Sequence, residues 1–466
     1  MTYPRGTGGA PDLRALWRRQ RERWHALPAG RRRQTIVTIQ ALVVLALLPF
    51  WWGFAVLLAI FFALYWIPDR LTVRLWPLRT RIRLRSFVTP LAALAVAIAY
   101  PFIRDSIDTV PIVGPWPQMD TAVIMTVYAM MAVGLNIVVG YAGLLDLGYV
   151  AFYAVGAYTA AWFASVQFAT HSIHFGAVGV GPSVPGIHIS IWLLLALAGI
   201  VTAFIGVVIG LPTLRLRGDY LAIVTLGFGE ILPQVARNGD NLFGQNITNG
   251  PNGITPVDPP GFGGLHKIFP FLPENYLTLS NRNNAYFWTG LVLLAITVFV
   301  SLRLRDSRLG RAWIAIREDE VAAAAMGIPL MRTKTWSYAS GAFFGGVAGA
   351  YFASFKSSTF PNDFSFNISA FILSMVILGG MGNVWGVIVG ACVLSYLNQE
   401  GLANIGAQLN SNFGWHLDVP LYASGIFGAI LVIMMLVRPA GLLPSARRRA
   451  EFEEGVHDQP LYDAAA

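Results

Sequence analysis

Between two apolar segments the chain carries a basic stretch, LRLRDSRLGRAWIAIREDEVAAAAMGIPLMRTKTWSY, residues 302–338. The flanking segments, near residues 286–303 and 336–355, approach the roughly 20 mostly apolar residues that a membrane-spanning helix needs. Within the basic stretch, residues 320–327 contain four consecutive alanines, which favour a short helix able to pack closely. The pattern predicts two spans joined by a loop that carries a docking surface.

The composition places the whole chain in the same class. Of its 466 residues 55% are apolar and 12% charged, and the mean hydropathy is +0.57, so one soluble core could not bury the apolar surface. We predict an all-α polytopic integral membrane protein of about 12 membrane segments, two short N-terminal ones and a core of roughly ten with broken or short helices. The net charge of +9 comes from arginines beside apolar segments, which argues against nucleic-acid binding.

The positions of the arginines predict the topology, because basic loops remain on the cytoplasmic side. The expected organisation is a basic cytoplasmic tail (1–34), an apolar hairpin with a basic loop (35–87), a membrane domain (88–446) and a cytoplasmic tail (447–466). Within the membrane domain, residues 237–285 form an external loop and residues 304–335 a cytoplasmic loop. The predicted spans are 88–103, 121–140, 149–168, 190–211, 219–236, 286–303, 336–355, 368–397 crossing twice with a turn at 379–383, and 419–437.

Two glycine-rich stretches, residues 134–148 and 378–386, interrupt these spans. Broken helices leave backbone groups that can contact a ligand, whereas glycines also allow close helix packing, and the sequence leaves both interpretations open. The candidate translocation-pathway residues are Asn136, Tyr153, Tyr158, Thr159, Thr225, Glu230, Ser374 and Asn383.

Ionisable residues are rare in the spans, where they are costly and usually functional. Glu230 lies two-thirds along a predicted span and belongs either to the pathway or to an interface, whereas Asp146 is expected in a solvated turn. The sequence has neither a Gly-x-x-x-x-Gly-Lys-Ser/Thr phosphate loop nor His-Glu-x-x-His spacing. We therefore expect a membrane protein that is not an enzyme, binds neither cofactor nor metal, and takes its energy from elsewhere.

Several motifs, in order, resemble those of LivM-type permeases of branched-chain amino acid ABC transporters. They are residues 134–158, 211–222, 250–254, 315–320 and 438–444, and the resemblance covers residues 88–446. It implies a multi-pass protein of the bacterial cytoplasmic membrane, with both termini cytoplasmic, that moves leucine, isoleucine or valine. A permease for urea or short amides is the alternative, and a self-sufficient secondary carrier is a weaker one.

The resemblance also implies partners. They are a LivH-like second permease, two LivG/LivF-like ATPase subunits that use ATP and magnesium, a periplasmic or lipid-anchored amino-acid-binding protein, and membrane lipids. The loop from residue 311 to 335 resembles the coupling helix that docks on an ATPase, although Val321 stands where the general motif has Glu. The alternative is an ordinary amphipathic surface helix. The coupling-loop candidates are Arg317, Glu318, Glu320, Ala322, Ala323, Gly327 and Pro329.

Overall fold

The computed structural model describes residues 94–104, 116–181, 183–216, 219–241, 244–263, 266, 273–279, 281–413, 418–437 and 441–443. The chain divides into two units, residues 1–116 and 117–466. In the first unit the described helix is α1 (Leu94–Arg104). The N-terminal tail, the hairpin at 35–67 and the C-terminal tail, all inferred from the sequence, lie outside the described residues.

The described part of the second unit is built mainly of helices. They are α2 (Met119–Asn136), α3 (Val150–Phe163), α4 (Ile191–Thr213), α5 (Asp219–Arg237), α6 (Arg282–Asp306), α7 (Arg308–Glu318), α8 (Glu320–Ala325), α9 (Leu330–Lys356), α10 (Phe366–Gly379), α11 (Val384–Tyr396), α12 (Leu402–Phe413) and α13 (Ala423–Val437). Five helical segments in the described residues are long and apolar enough to cross a membrane: Met119–Tyr141, Ile191–Thr213, Arg282–Asp306, Pro361–Gly379 and Val419–Leu436. The chain is an all-α polytopic membrane protein, as its composition predicts.

Each span expected from residue 121 onward coincides with a helix, and the expected double crossing at 368–397 turns at residues 380–383, between α10 and α11. Two features differ from the expectation. Helix α3 ends at Phe163, before residue 168, because the backbone turns into a strand at Ala164. A π-helical turn, Leu397–Gly401, joins α11 to α12, a helix that is not among the predicted spans.

A small sheet forms between α3 and α4. Strands β1 (Ala164–Ser165), β3 (Gly186–Ile189) and β2 (Ser172–Phe175) lie in that order, with β1 antiparallel and β2 parallel to β3. His188 on β3 is buried, and its Nδ1 lies 2.7 Å from Oδ2 of Asp258. Burial raises the pKa of the Asp258 carboxyl, against the lowering effect of this contact. We call this end of the molecule the sheet face and the end carrying residues 302–335 the basic face.

Helix α9 is the central helix, packing against α2, α3 and α4. Its contact with α3 is backbone to backbone. A Cβ placed on Gly156 would lie 2.1 Å from the Gly346 carbonyl oxygen, and one on Gly349 would lie 2.0 Å from the Tyr153 carbonyl oxygen. Such distances leave no space for a side chain. At this crossing glycine therefore serves close helix packing.

We expect Gly156→Ala to destabilise the detergent-solubilised protein, because the new methyl group would overlap the Gly346 carbonyl. Overpacking of this kind costs about 1–3 kcal/mol. The matched control is Gly428→Ala on α13, where an added Cβ meets no atom within 4 Å. Thermal unfolding in detergent should show a lower melting temperature for Gly156→Ala only. Equal melting temperatures for the two variants would contradict the close α3–α9 crossing.

Candidate functional site

Helix α2 ends in a π-helical turn, Ile137–Tyr141, next to the basic face. Its wider spacing frees carbonyl groups from the regular helical pattern, and other parts of the chain satisfy them. The Ser337 hydroxyl donates to the Ile137 carbonyl at 3.1 Å, and the Leu144 amide donates to the Val138 carbonyl at 3.1 Å. The Gly140 carbonyl accepts a hydrogen bond of 2.6 Å from Nη1 of Arg317 on α7. A charged side chain of the basic loop thus reaches the end of a membrane span.

A second break, residues 380–383, separates α10 from α11. Gly380 and Gly382 have φ of +111° and +83°, a region that favours glycine, so this turn requires them. Asn383 caps α11 by accepting from the Trp385 amide at 3.2 Å, and its Nδ2 donates to the Leu443 carbonyl at 2.8 Å. The Asn383 side chain therefore joins this turn both to the start of α11 and to the segment around Leu443.

The two breaks meet each other. The Gly382 amide donates to Oδ1 of Asn136 at 2.8 Å, and a Cβ on Gly140 would lie 2.7 Å from the Gly382 nitrogen. Asn136 is fully buried. Asn136 and Asn383, which the sequence suggested as pathway residues, instead join broken backbone segments inside this subunit. Gly140 and Gly382, next to these two residues, allow the two breaks to approach each other closely.

Most of the other pathway candidates also make internal contacts. Thr225 is buried, donates to the Ala222 carbonyl at 3.0 Å and accepts from the Leu147 amide at 3.1 Å. Thr159 and Ser374 donate to carbonyls four residues earlier in their own helices. Their hydroxyl donors are therefore used within the subunit, and the pathway role of these three residues stays a prediction.

Tyr153 and Tyr158 are brought together around one aromatic ring. Both are buried, and their ring centroids lie 5.4 and 5.7 Å from that of Phe364. Phe364 ends a short 3-10 helix, Pro361–Phe364, between α9 and α10. The pair fastens α3 to this connection, and the expected lining of an open path is not seen for either tyrosine.

Glu230 differs from the other candidates because it is exposed. It shares the outer face of α5 with Ile223 and Gln234, which are exposed as well, and an added Cβ on Gly227 between them would meet nothing within 4 Å. The opposite face of α5, including Thr225, packs inside the subunit. Glu230 is therefore available to a partner or to a solute.

The expectation of a solvated Asp146 was wrong. Its side chain is buried, its Oδ1 accepts from the Gly148 amide at 2.9 Å, and the buried Tyr338 lies beside it. The cause is long-range packing, because α9 covers the turn that contains Asp146. A local sequence pattern does not show that a helix distant in sequence will bury a residue.

On the basic face, α7, α8 and the start of α9 are joined by three polar contacts. Asp319 caps α8 by accepting from the Val321 and Ala322 amides at 2.8 and 2.9 Å. Nε1 of Trp313 donates to the Thr333 carbonyl at 2.7 Å, and Nζ of Lys334 lies 2.8 Å from Oε1 of Glu320. The remaining loop candidates follow: Gly327 has φ of +83° after α8, and Pro329 precedes α9. We call residues 308–334 the docking knuckle.

The knuckle presents only part of the expected docking surface. Val321 and Met326 are 69% and 83% exposed, and Ala322 and Glu318 are exposed too, whereas Ala323 is 4% exposed and faces inward. Ala323 is buried and Glu320 and Arg317 bond within the chain, so the part of these three coupling-loop candidates in docking stays a prediction. Sequence reasoning missed Asp319, although an aspartate directly before a run of helix-forming residues is a known helix-start signal. It also missed Lys334, because no local sequence pattern indicates its ion pair with Glu320.

Comparison with known proteins agrees with this architecture. The family model described as "Branched-chain amino acid transport system / permease component" matches residues 119–435. The chain is 36% identical over 377 residues to the permease protein LivM of Salmonella typhimurium, covering 78% of this chain and 76% of LivM, and 36% identical over 374 residues to LivM of Escherichia coli, with the same coverage.

The chain is also similar to a second kind of permease. It is 25% identical over 321 residues to LivH of Salmonella typhimurium, covering 68% of this chain and 91% of LivH. No solved structure matches the chain. On the family match and the likeness to LivM, this chain belongs to the family of branched-chain amino acid transport system permease components.

Proposed function

We propose that this chain is a permease subunit of a bacterial ABC importer that moves leucine, isoleucine or valine across the cytoplasmic membrane. ATP is hydrolysed with magnesium by partner subunits, and this chain has no catalytic role. The observation that carries the proposal, beside family membership, is the docking knuckle. It holds a short helix rigidly at the end of the membrane helices and leaves apolar side chains exposed there.

The proposed topology places the basic face in the cytoplasm. Arg303, Arg308, Arg311 and Arg332 are exposed there, and arginines of this kind remain on the cytoplasmic side. The partner ATPases then dock on the exposed side of α8. Exposed apolar residues at a helix end, surrounded by charges, suit a protein groove because burial of Met326 and Val321 stabilises the contact.

The second permease is proposed to pack beside α5. A carboxylate at membrane depth is costly against lipid, so the face that carries Glu230 needs protein or water next to it. The outer faces of α4 and α13 are apolar and exposed, which suits lipid. A binding protein would deliver substrate at the sheet face, on the outer side.

The α5 face also supplies a chemical group for the substrate. An amino acid carries an ammonium group, and Glu230 offers an exposed carboxylate at this face. Urea and short amides carry no such cation and remain the alternative substrates. The curated relatives above are named for branched-chain amino acid transport, which favours the amino acids. A secondary carrier is a further alternative, and accumulation of leucine by this chain alone in liposomes with an ion gradient would favour it.

Met326→Arg should weaken ATPase docking, because it places a charge on the most exposed apolar residue of the knuckle. We expect at least a tenfold loss of ATPase subunits recovered with the permease, as for a central interface residue. The matched control is Leu277→Arg, the same kind of change at an exposed apolar residue of the sheet face. Co-purification in mild detergent measures the recovery. Normal recovery with Met326→Arg would refute the docking assignment.

Glu230→Gln should lower uptake of labelled leucine about tenfold, because it removes the proposed partner of the substrate ammonium group. Glu274→Gln, the same change at an exposed carboxylate outside the helices, should leave uptake unchanged. Initial uptake rates, corrected for the amount of permease in the membrane, give the comparison. Excess isoleucine or valine should compete with leucine. Competition by urea, with none by valine, would favour the alternative substrate class.

A further inference from the structure

Arg317 lies at the contact between the docking knuckle and the two broken spans. It is in the last turn of α7, and its side chain turns toward the membrane helices, where Nη1 donates to the Gly140 carbonyl at 2.6 Å. Its stem passes over Gly143, where a Cβ would lie 2.5 Å from Cγ of Arg317. Gly143, whose φ of +70° also favours glycine, therefore leaves the space that the Arg317 stem occupies.

The acceptor of Arg317 is also the point where the two breaks meet. A Cβ placed on Gly382 would lie 3.4 Å from the Gly140 carbonyl oxygen and 3.6 Å from Nη1 of Arg317. The Gly382 amide in turn donates to Asn136. One guanidinium thus contacts the π-helical turn of α2 and borders the turn between α10 and α11.

The end of α7 that carries Arg317 is also joined to α8, which we call the docking helix. Asp319, two residues later, caps α8, and the Glu320–Lys334 and Trp313–Thr333 contacts join α8 and α7 to the start of α9. Lys334 is 5% exposed and Glu320 is 28% exposed, so this ion pair is more shielded than a surface pair. A displacement of α8 would therefore carry Arg317 with it.

We propose that Arg317 is the positioning residue through which movement of the docking helix reaches the two broken spans. The proposal rests on the proposed function, in which an ATPase moves α8. A charge-assisted hydrogen bond is stronger than a neutral one, and π-helical turns inside α-helices occur frequently at functional sites. Pulling or releasing the Gly140 carbonyl shifts both breaks together, since the Gly382 amide and Asn136 are in the same cluster.

The test uses the complete transporter in liposomes with Arg317→Met, and Arg303→Met as the control. Arg303 lies on α6 outside the docking knuckle, and its side chain is exposed and lies over the Phe299 ring. The readout is the number of leucine molecules taken up per ATP hydrolysed. We expect Arg317→Met to lower this ratio at least tenfold while the ATPase subunits remain bound, and Arg303→Met to keep it.

A normal ratio for Arg317→Met would overturn the proposal. Loss of ATPase binding in this variant would also overturn it, because Arg317 would then act at the docking surface. If Arg317→Met fails to reach the membrane, Arg317→Gln decides, since glutamine is polar but lacks the charge that strengthens the hydrogen bond to the Gly140 carbonyl. A ratio for Arg317→Gln equal to that of Arg303→Met would then refute the proposal. Failure of the proposed function would be recognised by a different result, namely normal recovery of the ATPase subunits with Met326→Arg.

Discussion

The structure depends on one constraint, which is that backbone polar groups at membrane depth need partners within the protein. Most of the helices satisfy it internally. The two breaks next to the basic face, at 137–141 and 380–383, satisfy it through neighbouring side chains. The Ile137 and Gly140 carbonyls accept from Ser337 and Arg317, and the Gly382 amide donates to Asn136. The last of these bonds joins the two irregular segments.

Glycine has two separate uses in this chain. Between α3 and α9, Gly156 and Gly349 let two backbones touch, and the result is a fixed helix pair. At Gly380 and Gly382 a positive φ is needed, and the result is a tight turn between two membrane helices. The sequence alone could not separate these uses, because both depend on which backbone lies opposite.

The docking knuckle shows how a polar network can position an apolar surface. Asp319, Glu320 and Lys334 use their charges within the chain, and this leaves Val321 and Met326 as the exposed groups. A partner then meets a small apolar surface on a rigid support, which limits the ordering cost of binding. The charges on this loop serve the internal structure as much as the partner.

The sequence by itself determined the membrane class, the positions of the predicted spans from residue 121 onward, the turn between α10 and α11, and the family. These follow from apolar runs, arginine positions and short motifs, which are local signals. Tertiary structure decided which polar groups face inward. Asn136, Thr225 and Asp146 are buried because helices distant in sequence cover them, whereas Glu230 remains exposed because no described segment covers its face of α5. Ala323 and Met326 are three residues apart in sequence, yet the first is buried and the second is exposed, and only the packing of the knuckle decides this.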